Sequence, residues 1–390
     1  MESFEFLVPT KIIFGKDSES RVGAEIAARG YKKVLLHYGG TSAVKSGLIG
    51  KVRQSLKDAG ISFVELSGVL PNPRVSLVRE GISLCDHENI DMILAVGGGS
   101  VIDSAKAIGM GYYYDGDVWD LYSGAAVAEK TLPVAVILTI PAAGSESSPS
   151  SVITNHRLTL KKGCTNEITR PIFAILNPEL TYTLPAYQTA CGAADIMAHI
   201  MERYFTNTPD VCFTDRLCEA GLKTIIEMAP IAIAEPENLN ARSNIMWCSS
   251  VAHNDLFGTG RSQDWGSHAI EHELSAIYDI AHGAGLAIVF PAWMRYVYKH
   301  DLDRFARFGK CVFGIEPDSN DPEATALKAI DALEAFFKSI GLPTRLSEAG
   351  IDESRIDEMA EKCTVNDTRN VGGFVPLKTT DVAAIYRLAL

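Results

Sequence analysis

Short apolar runs, each closed by glycine or proline, recur through the first half of the chain. Residues 33–38 (Lys-Val-Leu-Leu-His-Tyr) run into Gly39-Gly40, 62–66 precede Pro71-Asn72-Pro73, and 91–96 end at Gly97-Gly98-Gly99. Residues 132–139 and 171–176 repeat the pattern. Strands that are apolar throughout, rather than in alternation, belong to parallel sheets covered on both faces. Amphipathic stretches of helical period lie between them, at 18–29, 47–59, 75–89 and 101–108. This alternation predicts a doubly wound, Rossmann-like α/β sheet. The opening residues 4–15 hold two β-prone runs around Pro9-Thr10, and predict an irregular first strand or a hairpin.

Beyond Asn177-Pro178 and Leu184-Pro185 the pattern changes to long helical periods, such as 215–227 and 322–340, with little strand signal. Two domains are expected: an α/β dinucleotide-binding domain over 1–182 and an all-helical, metal-binding domain over 183–390. Length and composition agree with this, since 390 residues with 47% hydrophobic and 22% charged content can fill more than one core. The 36 basic and 48 acidic residues leave a net charge of −12, which argues against a nucleic-acid surface or an anionic membrane as partner. No apolar run approaches a membrane span, and the first residues carry no secretory pattern. Eight cysteines without a C-x-x-C pair suggest free thiols in a reducing compartment, so a cytoplasmic protein is expected.

Two stretches carry candidate chemistry. In the first, a strand breaks at Gly97-Gly98-Gly99-Ser100 and a helix begins. Glycines there let a ligand approach the backbone, and the free N–H groups of a first helical turn favour a pyrophosphate. Ser100 and Asp103 have the spacing of a capping box. The loop is not G-x-G-x-x-G, and a tight turn that binds nothing has the same composition. In the second, Asp195 and His199 stand four apart on a predicted helix, as do His268 and His272, with His282 following. Side chains at i and i+4 share a helical face. A carboxylate with several imidazoles suits Zn²⁺ or Fe²⁺. Spacing alone does not say which of His268 and His272 is the ligand, and helix histidines without any ligand role are common.

The separated motifs together resemble the iron-containing alcohol dehydrogenase family, on its butanol dehydrogenase and NADPH-dependent aldehyde reductase branch. They are Gly39-Gly40-Thr41-Ser42, Pro71-Asn72-Pro73, Gly97-Gly98-Gly99-Ser100 with Asp103, Leu138-Thr-Ile-Pro-Ala-Ala-Gly-Ser-Glu146, Asp195 with His199, and Gln263-Asp-Trp-Gly-Ser-His268 with His272 and His282-Gly283. The resemblance spans nearly the whole chain. Family loops at 140–146 are usually threonine-rich; Ala142, Ala143 and Ser145 replace those residues here.

What the resemblance implies is specific. Asp195, His199, His268 and His282 would be the metal ligands, for Fe²⁺ or Zn²⁺. Gly98, Gly99 and Ser100 would bind the pyrophosphate, with Asn72, Asp103, Thr139 and Lys161 around the cofactor. His272 would be the catalytic residue near the nicotinamide. The reaction would be hydride transfer between a nicotinamide and a primary alcohol or aldehyde, in a homodimer. A polyol dehydrogenase is the nearest alternative. A dehydroquinate-synthase-like lyase would need a basic site, yet only Arg203 and Arg261 lie near these helices in sequence. A nucleotide-binding sensor without chemistry would have no use for the intact quartet.

Cofactor choice can be read from the turn after 33–38. Enzymes that prefer NAD commonly carry an acid there, which binds the 2′-hydroxyl and repels a 2′-phosphate. Tyr38-Gly39-Gly40-Thr41-Ser42 has none. The two glycines leave room, and Thr41 and Ser42 can donate hydrogen bonds. NADP(H) is therefore expected, with NAD possible.

Overall fold

A computed structural model describes residues 1–390, which divide into two compact units. One is Leu7–Thr183; the other is Leu184–Leu390 together with Met1–Phe6. The first hexapeptide thus packs with the helical residues, tied there by Met1 N donating to the Pro209 carbonyl (2.9 Å) and Glu2 N to that of Gly260 (2.8 Å).

The unit Leu7–Thr183 is built on a six-stranded parallel sheet. Its strands are β1 (Lys11–Phe14), β2 (Lys33–Tyr38), β3 (Ser62–Leu66), β4 (Met92–Gly98), β5 (Val134–Ile140) and, after an antiparallel pair β6 (Ser150–Asn155) and β7 (Leu160–Thr165), β8 (Phe173–Leu176). Their order is β1-β8-β5-β4-β2-β3. β4 is buried at every position, and burying each of its large apolar side chains contributes about 1.5–3 kcal/mol. The edge strands β1 and β3 are partly exposed.

Of the two alternatives for residues 4–15 the strand is found and not the hairpin, and one expectation needs correction. No hairpin forms at the start: residues 1–10 hold no strand, and β1 pairs in parallel with β8 instead. Pro9 has no N–H to offer a ladder, which ends the strand there. Nor does a capping box open the Gly99–Tyr112 helix. Its N-cap is Gly98 without a side-chain cap, and the Asp103 carboxylate turns instead to Ser145 and Val152. β6 and β7 were not foreseen, because Leu-Lys-Lys-Gly-Cys-Thr shows no apolar alternation.

The other unit is helical throughout, without a named strand. Its centre is aromatic: the Phe205 ring meets Trp293 at 5.4 Å and Phe305 at 4.7 Å between centroids, all three fully buried. Three helices matter for chemistry, namely Ala186–Tyr204, Gly266–Tyr278 and His282–Val297. No helix is long and apolar enough to cross a membrane. The helix that starts at His282 lies against Ala186–Tyr204 so closely that a Cβ on Gly283 would stand 2.0 Å from the Cys191 carbonyl oxygen. Backbone cannot retreat as a side chain can. Gly283→Ala should therefore lower stability by about 3 kcal/mol, the upper range for overpacking, measured by denaturant unfolding; a loss under about 1 kcal/mol would show that the two helices separate freely.

Candidate metal centre and dinucleotide loop

Asp195 and His199 point from one face of the Ala186–Tyr204 helix, as their spacing predicts, and His268 and His282 arrive from two others. Asp195 and His199 are each 4% exposed and His268 6%. Asp195 Oδ1 lies 4.0 Å from His268 Nε2 and 3.8 Å from His282 Nε2, so ligand atoms of these three residues fall within 4.8 Å of one another. His199 stands beside them, its ring 4.7 Å from that of His268, with Nδ1 donating to the Asp195 carbonyl at 2.9 Å. It is not part of the 4.8 Å group. Burial holds His199 well below the ordinary histidine pKa, helped by His268 and Arg203. A neutral imidazole is the form that binds a metal.

What fixes the rings was not visible in the sequence. His268 Nδ1 donates to Glu202 Oε1 at 2.8 Å, and the same oxygen accepts the His268 amide at 2.9 Å. His282 Nδ1 donates to Glu271 Oε2, and Ser275 Oγ donates to Glu271 Oε1. Both glutamates are completely buried. Each carboxylate settles its histidine in the Nδ1–H tautomer, which leaves an Nε2 lone pair facing the Asp195 carboxylate. Acceptors facing one another at 3.8–4.0 Å suit a cation between them. Carboxylates behind ligating histidines are the usual orienting shell of a metal site. Burial pushes Glu202 up to about 7. A second group, Glu271, His272 and His282, also has ligand spacing, but Glu271 is already engaged with His282 and Ser275.

His272 is half-buried, with its ring 5.7 Å from that of His282. The turn before His268 is held firmly. Asp264 accepts the amides of Gly266, Gly373 and Phe374 at 3.1, 2.9 and 2.8 Å, and Trp265 adopts a left-handed φ of 65°. Such a conformation is costly for a large residue and survives only where its surroundings impose it. The Arg203 guanidinium sits 4.8 Å over the Trp265 ring, and Trp265 in turn lies 5.1 Å from His268.

The candidate dinucleotide residues all belong to the unit Leu7–Thr183. β4 runs on through Gly97 and Gly98 with a register shift between them, and the helix starts at Gly99. A Cβ on Gly98 would meet Ile140 Cβ at 2.9 Å, and one on Gly99 would meet Ala143 Cβ at 2.9 Å. The 140–146 loop is therefore packed directly on the glycines. Ser100 and Thr139 are half-buried here, and Asp103 is bound by Ser145 Oγ (2.6 Å) and Val152 N (2.9 Å). Asn72 is buried with a left-handed φ of 52°, and Lys161 is buried on β7. At the end of β2, Gly39 is half-buried, while Gly40 and Ser42 are exposed.

Known proteins of the same build were found for the whole chain. Residues 9–178 match the model of the iron-containing alcohol dehydrogenases, and 189–390 that of the C-terminal part of the Fe-containing alcohol dehydrogenase family. The chain is 41% identical over 388 residues to NADH-dependent butanol dehydrogenase A of Clostridium acetobutylicum, covering 99% of both. It is 35% identical over 375 residues to the NADPH-dependent aldehyde reductase YqhD of Escherichia coli, covering 95% of both. The crystal structure of NADH-dependent butanol dehydrogenase A from Thermotoga maritima superimposes with a TM-score of 0.97 at 41% identity, covering 100% of this chain and 99% of that one.

The orienting carboxylates make a test that needs no turnover. Glu271→Ala should weaken divalent-ion binding about 10- to 100-fold, and Asp195→Ala should lower bound metal further, both read by elemental analysis after dialysis. Full occupancy in Asp195→Ala would remove that residue from the site.

Proposed function

The chain belongs to the iron-containing alcohol dehydrogenase family, an NAD(P)-dependent alcohol dehydrogenase with a divalent metal, and on that premise we propose that Asp195, His199, His268 and His282 hold the ion for the reduction of aldehydes to primary alcohols. The observation that carries the assignment is the pair of buried carboxylates behind His268 and His282, which turn both Nε2 atoms toward Asp195. The bound ion would supply Lewis-acid polarisation of the substrate oxygen and the nicotinamide the hydride. Fe²⁺ and Zn²⁺ both accept this N/O set.

The chain's own residues do the rest. Glu202 and Glu271 keep the rings of His268 and His282 from rotating, and Trp265 supplies an apolar face beside them. His272, half-buried next to His282, donates the proton that the alkoxide needs in reduction and takes it back in oxidation. Gly98, Gly99 and Ser100 offer backbone to the pyrophosphate, with Gly39, Gly40, Ser42, Asn72, Asp103, Thr139 and Lys161 as the further cofactor residues. The eight free cysteines suit a cytoplasmic protein. Phe4, Phe6 and Leu7 stay exposed, apolar area that a second copy in a homodimer would cover.

For the nucleotide, the relatives' names divide between NADH and NADPH, so the choice rests on the turn after β2. It carries no acid. The carboxylate beside it, Glu65, is held by Arg53 at 2.8 and 2.7 Å and by the Tyr38 hydroxyl at 2.7 Å, so its charge is already compensated. A 2′-phosphate would therefore meet no free carboxylate from Glu65, and NADPH is the preferred cofactor.

Aldehyde-dependent oxidation of NADPH by metal-analysed protein is the direct test; metal-loaded protein without turnover on any short aldehyde would sink the reading. Two variants separate the roles of the paired histidines. His272→Ala should retain metal and slow turnover on the order of 10²-fold, whereas His268→Ala should lose both; equal metal loss would show that the proton relay is misassigned. Cofactor choice is tested at Gly39, where an added Cβ would meet Val69 O at 3.4 Å and Val101 Cγ2 at 3.8 Å, ordinary contacts. Gly39→Asp should lower kcat/KM for NADPH by about tenfold, equivalent to about 1.4 kcal/mol, and spare NADH. A wild type that already favours NADH, or an unmoved ratio, would refute it.

A further inference from the structure

Lys106 lies in the Gly99–Tyr112 helix and has no solvent exposure at all. Isolated buried charge is costly, so its surroundings must replace water. They do so with oxygens of a single loop. Nζ lies 2.7 Å from the Ser145 carbonyl, 2.9 Å from Ser145 Oγ, 2.8 Å from the Ser148 carbonyl and 2.8 Å from the Ser150 carbonyl. An ammonium has three N–H donors, fewer than the oxygens gathered around it. The arrangement is that of a cation in an oxygen cage.

The cage has a direction. Because Ser145 Oγ gives its proton to Asp103 Oδ1 at 2.6 Å, it can only accept from Lys106. Asp103 also accepts the Val152 amide at 2.9 Å, so a carboxylate and an ammonium one helical turn apart hold the two ends of the loop. Arg170 Nη1 takes the intervening Ser147 carbonyl at 2.7 Å. The segment immediately before it presses on the glycines, with Ile140 and Ala143 within 2.9 Å of where Cβ atoms on Gly98 and Gly99 would stand.

We propose that Lys106 is a positioning residue for the cofactor: a fixed internal cation that sets the 145–150 loop, and through it the wall of small residues facing the dinucleotide at Gly98–Gly99. The proposal rests on the reading of Gly98–Ser100 as the pyrophosphate site. Lys106 touches neither nucleotide nor substrate in this role. It acts by holding carbonyl oxygens that would otherwise be free to turn.

Lys106→Ala should raise the Kd for NADPH about tenfold or more, with metal content unchanged and kcat at saturating nucleotide much less affected. In the nucleotide-free protein, amides 145–152 should exchange hydrogen faster, while those of β4 keep their protection. n-Propylammonium, which replaces the three carbons and the nitrogen removed, should restore both the affinity and the slow exchange; sodium at equal ionic strength should restore neither. Unchanged Kd and loop exchange would overturn the proposal. So would a uniform loss of protection across the sheet without rescue, which is the mark of a merely structural lysine. If the alanine variant does not fold, Lys106→Gln keeps a short donor and should show the same loop-specific changes in smaller degree; wild-type behaviour in that variant is equally fatal. A wild type that binds no nicotinamide nucleotide would sink the reading of the glycine loop, while loop exchange and its rescue would still decide the part played by Lys106.

Discussion

Two carboxylates without solvent contact, Glu202 and Glu271, govern the helical unit. Each stands on one helix and grips a histidine on the next: Glu202 of the 186–204 helix holds His268 of the 266–278 helix, and Glu271 of that helix holds His282 at the head of 282–297. Buried carboxylates are expensive unless hydrogen-bonded, so these pairs are formed together or the core is destabilised. The same constraint that joins the three helices also aims their Nε2 atoms at Asp195. Packing and chemistry are here a single requirement. Gly283, which lets its helix lie against the Cys191 carbonyl, belongs to that requirement as much as either histidine does.

The sheet unit solves its problem with opposite means. The elements proposed to face the dinucleotide are glycines and small residues, which have little side chain to hold them in place. Rigidity must then come from behind, from Lys106, Asp103 and Arg170, whose long or charged side chains end on loop oxygens and amides. His37 adds a similar brace. It is fully buried between β2 and the Gly99–Tyr112 helix, joined to the Leu66 carbonyl through Nδ1 and to Ser104 Oγ through Nε2, each at 2.9 Å. Burial lowers it to about 4, so it stays neutral at physiological pH.

Which parts were legible in the sequence follows from these differences. β2 begins and ends where its apolar run does, because continuous burial leaves a continuous signature, and β3 keeps its expected bounds although, as an edge strand, it is only partly buried. Asp195 and His199 could be read from one helical turn. Glu202 and Glu271 could not, although each follows a histidine by three residues. That spacing suggests a partner on the same helix, whereas the actual partners are 66 and 11 residues away. Lys106 sits in a run of apolar helix positions, and no periodicity shows that its nitrogen ends on loop oxygens. β6 and β7 lack an apolar face because part of their support is the Asp103 carboxylate, a polar anchor that leaves no periodic trace. The first hexapeptide left the sheet for a similar reason, since its fixed contacts lie more than 200 residues away.

The grip of Asp264 has a consequence in time. The turn that presents His268 is closed by amides of Gly373 and Phe374, and Tyr386 adds a buried hydrogen bond from its hydroxyl to the Ile270 carbonyl at 2.6 Å. These braces come from residues more than a hundred positions further along the chain. The helix that carries His268 and His272 is fixed only once residues 373–386 have docked on it. The candidate centre therefore takes its final form late in folding, when a segment distant in sequence closes on the helix that bears two of its histidines.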